Sequence, residues 1–139
     1  MKVLFICEHN LGRSQIARAF YNYFTDTEDA MSAGAEAEMY PAKTLGEIAR
    51  ETGRETRTMK LMREVGLDLT NAPRQMLTQK LARDCPRIVS FLSREDLPLW
   101  LQNDKRLEIW TVRNYPARSL AAARRQRDEI AEMVREMLK

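Results

Sequence analysis

Lys2-Val3-Leu4-Phe5-Ile6-Cys7-Glu8-His9-Asn10-Leu11-Gly12-Arg13-Ser14 stands at the start of the chain, and the change of pattern within it decides the fold. Residues 2–6 form a short apolar run with β-branched members, the composition of a strand covered on both faces. From Arg13 the pattern changes. Ile16, Ala17, Phe20, Tyr21 and Phe24 recur at helical spacing and predict a helix over 13–24. A strand, a tight loop and a helix in immediate succession open a βαβ unit.

Outward from this unit, Ala30-Met31-Ser32-Ala33-Gly34 reads as a second strand ending at glycine. The stretch 42–65 has helical propensity interrupted by Gly46 and Gly53, and its last part, 58–65, stops at Gly66 as a C-cap. Residues 87–92 and 107–112 read as third and fourth strands. Ser119 caps a long final helix over 119–138, with Leu120, Ala123, Ile130, Val134 and Met137 as its apolar stripe. The order β-α-β-α-β-β-α predicts an α/β fold, a short parallel sheet with helices on both faces. Ligands of such sheets sit at the carboxyl ends of the strands, where Cys7 falls. Without a repeat, low-complexity tract or Pro/Gly-rich linker, residues 1–139 read as one domain.

Composition narrows the function classes. The balance of 44% hydrophobic and 31% charged residues is that of a globular, soluble protein. No apolar run approaches a membrane span, and the first residues lack the long apolar core and cleavage site of a signal peptide. Two cysteines, Cys7 and Cys85, imply no disulfide framework. The expected compartment is therefore cytoplasmic, with reduced thiols and no membrane association. A formal charge of +3 suits an anionic ligand but does not argue for nucleic acid, which is not an expected partner.

The chemistry lies in Cys7-Glu8-His9-Asn10-Leu11-Gly12-Arg13-Ser14. A loop between strand and helix can turn successive backbone N–H groups inward, and the helix adds the positive end of its dipole. Arg13 supplies bidentate, charge-assisted hydrogen bonds to a phosphate-sized anion. The same field favours the thiolate of Cys7, the nucleophilic form. Ser14 is placed to give that sulfur a hydroxyl hydrogen bond. Asn10 can lock the loop by bonding its own backbone, and Gly12 permits a backbone angle other residues resist. Glu8 is expected to turn away from the anion; His9 and Leu11 complete the loop.

Cys7-x-x-Asn10-x-x-Arg13-Ser14 near the N-terminus resembles the low-molecular-weight protein tyrosine phosphatase superfamily. His9 to Gln15 is most similar to its arsenate reductase branch. The resemblance continues through Ser32-Ala33-Gly34, residues 62–69, Trp110 to Pro116, and Arg127 to Ile130. It implies a single three-layer domain with a four-stranded parallel sheet. It also implies attack by Cys7 on a phosphoryl group or arsenate, with Arg13 and the loop N–H groups stabilising the developing charge.

Three features depart from that pattern. The superfamily's general acid is an aspartate preceding a proline after the last strand, and here Tyr115 stands in its place before Pro116. A positioned acid contributes about 10² to 10⁴ in rate, so poor leaving groups are expected to react slowly. Tyr115 is assigned to substrate contact, stacking on a substrate ring or covering the pocket, with proton donation as the lesser alternative, and Glu95, Asp96 and Asp104 remain as surrogate acids. The resolving cysteines of thiol-coupled reductases are replaced by Ser93 and Leu97, and Cys85 reads as a packing or loop thiol. The stretch 36–57 is long and charged, a solvated helical excursion by default and a lid or partner surface as the alternative. His9 is the lone histidine, so no metal site and no cofactor are expected. The arginines at 118, 124, 125 and 127 read as a solvated face. Trp100 and Trp110 read as core or rim aromatics.

Three functions stay open on this basis. The leading one is a cysteine-dependent phosphatase acting on phosphotyrosine protein or a small aryl phosphate. The others are an arsenate reductase using an external thiol and a phospho-oxyanion-binding protein with little turnover. The expected partners are phosphate or arsenate, with a phosphoprotein as a further candidate.

Overall fold

A computed structural model describes residues 1–36, 43–113 and 119–139. Tyr115, Pro116 and Arg118 lie outside the described residues. β1 (Val3–Cys7) is buried at every position because it occupies an inner place in the sheet. It pairs in parallel with β2 (Ala30–Gly34) on one side and β5 (Arg87–Ser90) on the other, and β5 pairs in parallel with β6 (Leu107–Ile109). The sheet order is β2-β1-β5-β6. The chain thus progresses in opposite directions from β1, and the crevice outside β1 and β5 is where such sheets bind ligands.

Alternation along β1 divides the core. Val3, Phe5 and Cys7 face one layer, with Ile16, Ala17 and Phe20 of α1 (Arg13–Thr25) and Ile130, Ala131 and Val134 of α6 (Leu120–Met137). Leu4 and Ile6 face the other, with Ala82 of α4 (Gln79–Ala82), Leu97, and Leu101 of α5 (Leu99–Gln102). The expected α/β fold with a four-stranded parallel sheet flanked by helices is the observed one. The third and fourth strands are shorter than expected, ending at Ser90 and Ile109.

Several expectations need correction. The helical stretch 42–65 is broken at Gly53 as expected but not at Gly46, giving two helices, α2 (Leu45–Thr52) and α3 (Arg57–Arg63). Gly46 lies inside α2, because its missing Cβ lets the helix meet Thr70, whose Cγ2 and O would both stand 2.7 Å from that atom. Gly53 ends α2 in the left-handed region at φ 80°. α3 stops at Arg63, ahead of Gly66 at φ 85°. The charged excursion is not simply solvated. α2 is held by a capping box between Thr44 and Glu47 and packs Leu45, Ile48 and Ala49 against the core. A two-stranded antiparallel ribbon of β3 (Lys43–Thr44) and β4 (Pro73–Arg74) is an element the sequence pattern does not announce. Ser119 caps α6 as expected, accepting from the Ala122 N–H. Arg127, read as part of a solvated face, is buried; it donates to Glu64 and to the Leu61 carbonyl.

Candidate functional site

Cys7 is the last residue of β1, so its side chain emerges at the carboxyl end of the sheet. The carbonyls that follow it leave the strand pattern. In a strand, successive carbonyls point to opposite neighbours. Here the Cys7 carbonyl accepts from Ala35 N–H (2.9 Å) and the Glu8 carbonyl from Glu36 N–H (2.8 Å), so two consecutive groups turn toward one segment. The His9 carbonyl accepts from Arg74 Nε (2.8 Å), the Asn10 carbonyl from Gln15 Nε2 (3.1 Å), and the Gly12 carbonyl from Ile16 N–H (3.0 Å). A trans peptide sets its N–H opposite its C=O, so anchored outward carbonyls direct the N–H groups of Glu8 to Leu11 the other way. Among the described residues, no N–H from Glu8 to Arg13 donates to a protein acceptor. This is the backbone arrangement of an anion nest at a helix N-terminus.

The reversal turns on Asn10, which sits in the left-handed region at φ 54° and is fully buried. Its Oδ1 accepts from Gln75 N–H (3.0 Å), which fixes the amide orientation and aims Nδ2 at Ser14 Oγ (2.8 Å). Asn10 thus bonds Ser14 and Gln75, which follows β4 (Pro73–Arg74), not its own backbone as expected. Gly12, at φ −123° and ψ −101°, lies outside the helical and extended regions, and a Cβ there meets nothing within 4 Å; the left-handed angle of the loop is at Asn10.

Ser14 Oγ lies 2.9 Å from Cys7 Sγ. Because that oxygen already accepts from Asn10, its own hydrogen is left for the sulfur. Arg13 donates to the Phe91 carbonyl at 3.3 Å, with its guanidinium 5.8 Å from the Phe91 ring centre. That ring is held by Trp110, which also packs on Phe5. Arg13 is therefore anchored where β5 ends, beside the β1 loop.

The loop floors a recess of about 250 Å³ lined by Cys7, Glu8, His9, Leu11, Gly12, Arg13 and Gln126. Cys7 is 4% exposed at its base. Glu8 and His9 are exposed at the rim, with Glu8 Oε1 3.6 Å from His9 Nε2. Glu8, His9 and Glu36 bring ligand atoms within 4.8 Å of one another, but all three are exposed and nothing else marks a metal centre.

The sequence reading missed Gln126, Gln15, Arg74 and Gln75. Gln126 precedes Ile130 by one helical turn, so the periodicity of α6 places it on the inward side, though not over the loop. Gln15 sits in the loop signature, and of its partners Asn10 and Arg18 are local while Pro73 comes from elsewhere in the chain.

Of the surrogate acids, Asp104 is disqualified by place and charge. It precedes β6, at the end of the sheet opposite Cys7. Hydrogen bonds from the Arg106 side chain and backbone hold its carboxyl down at about 2. Asp96 accepts from Ser93 Oγ in a local turn. Cys85 is buried, and desolvation pushes its thiol up. It lies two residues before Arg87, which pairs with Val3, so roughly 15 Å or more of strand separates it from Cys7. A disulfide between them is out of reach.

No protein-family model matches the chain. Solved structures do. An arsenate reductase in a phosphate-binding state superposes with TM-score 0.72 at 22% identity, covering 99% of this chain and 96% of that one. A low-molecular-weight protein tyrosine phosphatase from T. tengcongensis superposes at 0.75 with 15% identity, covering 99% and 97%. The arginine phosphatase YwlE, carrying a phosphorylated active-site serine, superposes at 0.74 with 18% identity, covering 99% and 93%. With its parallel sheet and its loop after the first strand, the chain has the fold shared by low-molecular-weight protein tyrosine phosphatases and arsenate reductases.

Proposed function

We propose that the chain is a cysteine-dependent phosphatase acting on a phosphorylated substrate. The observation that carries this reading is the set of anchored, outward carbonyls from Cys7 to Asn10, which presents N–H groups around a buried thiol. The Cys7 sulfur attacks phosphorus as the thiolate. The S–P bond forms as the P–O bond to the leaving group breaks, and the leaving group departs with the electron pair. Water then cleaves the cysteinyl-phosphate, regenerating the sulfur and releasing inorganic phosphate. Arg13 and the loop N–H groups stabilise the equatorial oxygens in both steps. Ser14 donates to the sulfur and stabilises it as leaving group in the second step.

The substrate class follows from the missing acid. With Asp104 held charged and far away, an aryl phosphate, whose phenolate is a better leaving group than an alkoxide, suits the site better than an alkyl phosphate. Phosphotyrosine is such an ester. The test is release of p-nitrophenol from p-nitrophenyl phosphate by wild type and Cys7→Ser between about pH 5 and pH 8, with arsenate as competitor. Turnover lost on substitution and competed by arsenate is expected. Absence of wild-type turnover together with absence of phosphate binding refutes the reading.

Arsenate reduction is the second reading, and the His9 to Gln15 signature favours it. Since Cys85 is out of reach, the second thiol must come from outside. That thiol would attack the sulfur of a Cys7–arsenate adduct, leaving a mixed disulfide and arsenite. Thiol-dependent loss of arsenate separates the two readings.

A further inference from the structure

Gln15 is wholly buried in the first turn of α1 and uses both amide hydrogens on carbonyls. Nε2 donates to the Asn10 carbonyl at 3.1 Å and to the Pro73 carbonyl at 2.9 Å. Its Oε1 accepts from Arg18 Nη2 at 3.2 Å. The guanidinium therefore decides which way the carboxamide faces, because a flipped amide would set oxygen against two carbonyls and nitrogen against a cation. Burial pulls Arg18 below its usual range, and Glu28 offsets part of that. The Asn10 carbonyl belongs to the same peptide as the Leu11 N–H, at the left-handed turn of the loop. In the loop a backbone N–H takes the carbonyls of Cys7, Glu8 and Gly12, whereas side chains take the two at the turn, Arg74 that of His9 and Gln15 that of Asn10.

We propose that Gln15 is a positioning residue of the anion site, pinning the Asn10–Leu11 peptide carbonyl-outward so that the Leu11 N–H is presented to a bound phosphate oxyanion, with Arg18 setting the direction of the carboxamide. This rests on the reading of the loop as a phosphate site. An apolar side chain of the same length fills the space but leaves two carbonyls without a donor and the peptide free to turn. A glutamate keeps the shape. Its neutral form donates one hydrogen bond, and its ionised form donates none and repels both carbonyls and the anion.

The test measures inorganic phosphate affinity by calorimetry, p-nitrophenyl phosphate kinetics and thermal unfolding for wild type, Gln15→Met and Gln15→Glu. Wild-type phosphate binding checks the parent reading by itself. Given that binding, Gln15→Met is expected to bind phosphate at least tenfold more weakly, with kcat/KM falling in step, in protein that still unfolds cooperatively. For Gln15→Glu, the ratio of its phosphate affinity to that of wild type is expected to fall as pH rises from about 5 to 8. That signature decides the matter even if the methionine variant does not fold. A lowered unfolding temperature with phosphate affinity within twofold of wild type in the folded variants overturns the proposal and leaves Gln15 a packing residue.

Discussion

Replacing Asn10 by alanine removes three supports from one position. The left-handed backbone at φ 54° costs a Cβ-bearing residue without a local polar side chain roughly 1–2 kcal/mol. Gln75 N–H, which donates to Oδ1 at 3.0 Å, loses its acceptor in a partly buried place, at about 1–3 kcal/mol. The 2.8 Å bond from Nδ2 to Ser14 adds about 1 kcal/mol. Asn10→Ala is therefore expected to cost about 3–6 kcal/mol, read as the drop in unfolding free energy in urea at constant m-value. Asn10→Gly removes the same hydrogen bonds but fits the left-handed backbone. It is expected to be the more stable of the two variants by about 1 kcal/mol, the reverse of the usual order in regular structure. Phosphate binding and p-nitrophenyl phosphate turnover should fall in both, because Ser14 is released from its orientation toward Cys7. A loss below about 1 kcal/mol for Asn10→Ala, or alanine more stable than glycine, would refute the account of the turn.

Three further outcomes follow from the packing. Gly46→Ala should destabilise by about 1–3 kcal/mol in thermal or urea unfolding, although alanine is the better helix former, because the added Cβ meets the Thr70 carbonyl at 2.7 Å. Glu64, chiefly through its hydrogen bond from Arg124 and also through Arg127, is lowered from 4.5 to about 2. A depressed folded-state pKa gives stability present above the unfolded value and lost as pH falls, so unfolding free energy measured from pH 5 to 2 should decline less steeply in Glu64→Gln than in wild type. Cys85→Ala should leave turnover unchanged. Peptide mapping of oxidised wild type should find no Cys7–Cys85 disulfide, since the two thiols stand at opposite ends of the sheet.

What was legible in the sequence was local. The β1 run, the helical spacing after Arg13 and the loop residues between them lie within one βαβ opening, so pattern and chemistry could be read together. The β3–β4 ribbon was not legible, because two-residue strands have no period to detect. The burial of Arg127 was hidden for a related reason: it stands in a charged helical segment, and its distant partners, Glu64 and the Leu61 carbonyl, join Asp128 in compensating the covered guanidinium. In the site, Cys7, Arg13 and Ser14 stood out by type and spacing, and the Ser14–Cys7 contact is the part of their arrangement that the chain alone suggested. The groups that hold the loop carbonyls were not, since Arg74 and Gln75 approach from 65 positions away. Tyr115 falls among residues outside those described.

The long reach of Arg74 and Gln75 has a consequence for synthesis on the ribosome. A nascent chain that has emerged only as far as Glu36 contains the thiol, the guanidinium and the hydroxyl of the site. It lacks the donors for the His9 carbonyl and the amide that holds Asn10. The proposed oxyanion pocket is thus completed only after residues 73–75 have folded back along the loop, a non-local closure of the kind that slows folding. On the proposed function, phosphate capture would then report completion of this contact, and the half-made protein would carry the Cys7 thiol without the cradle that surrounds it.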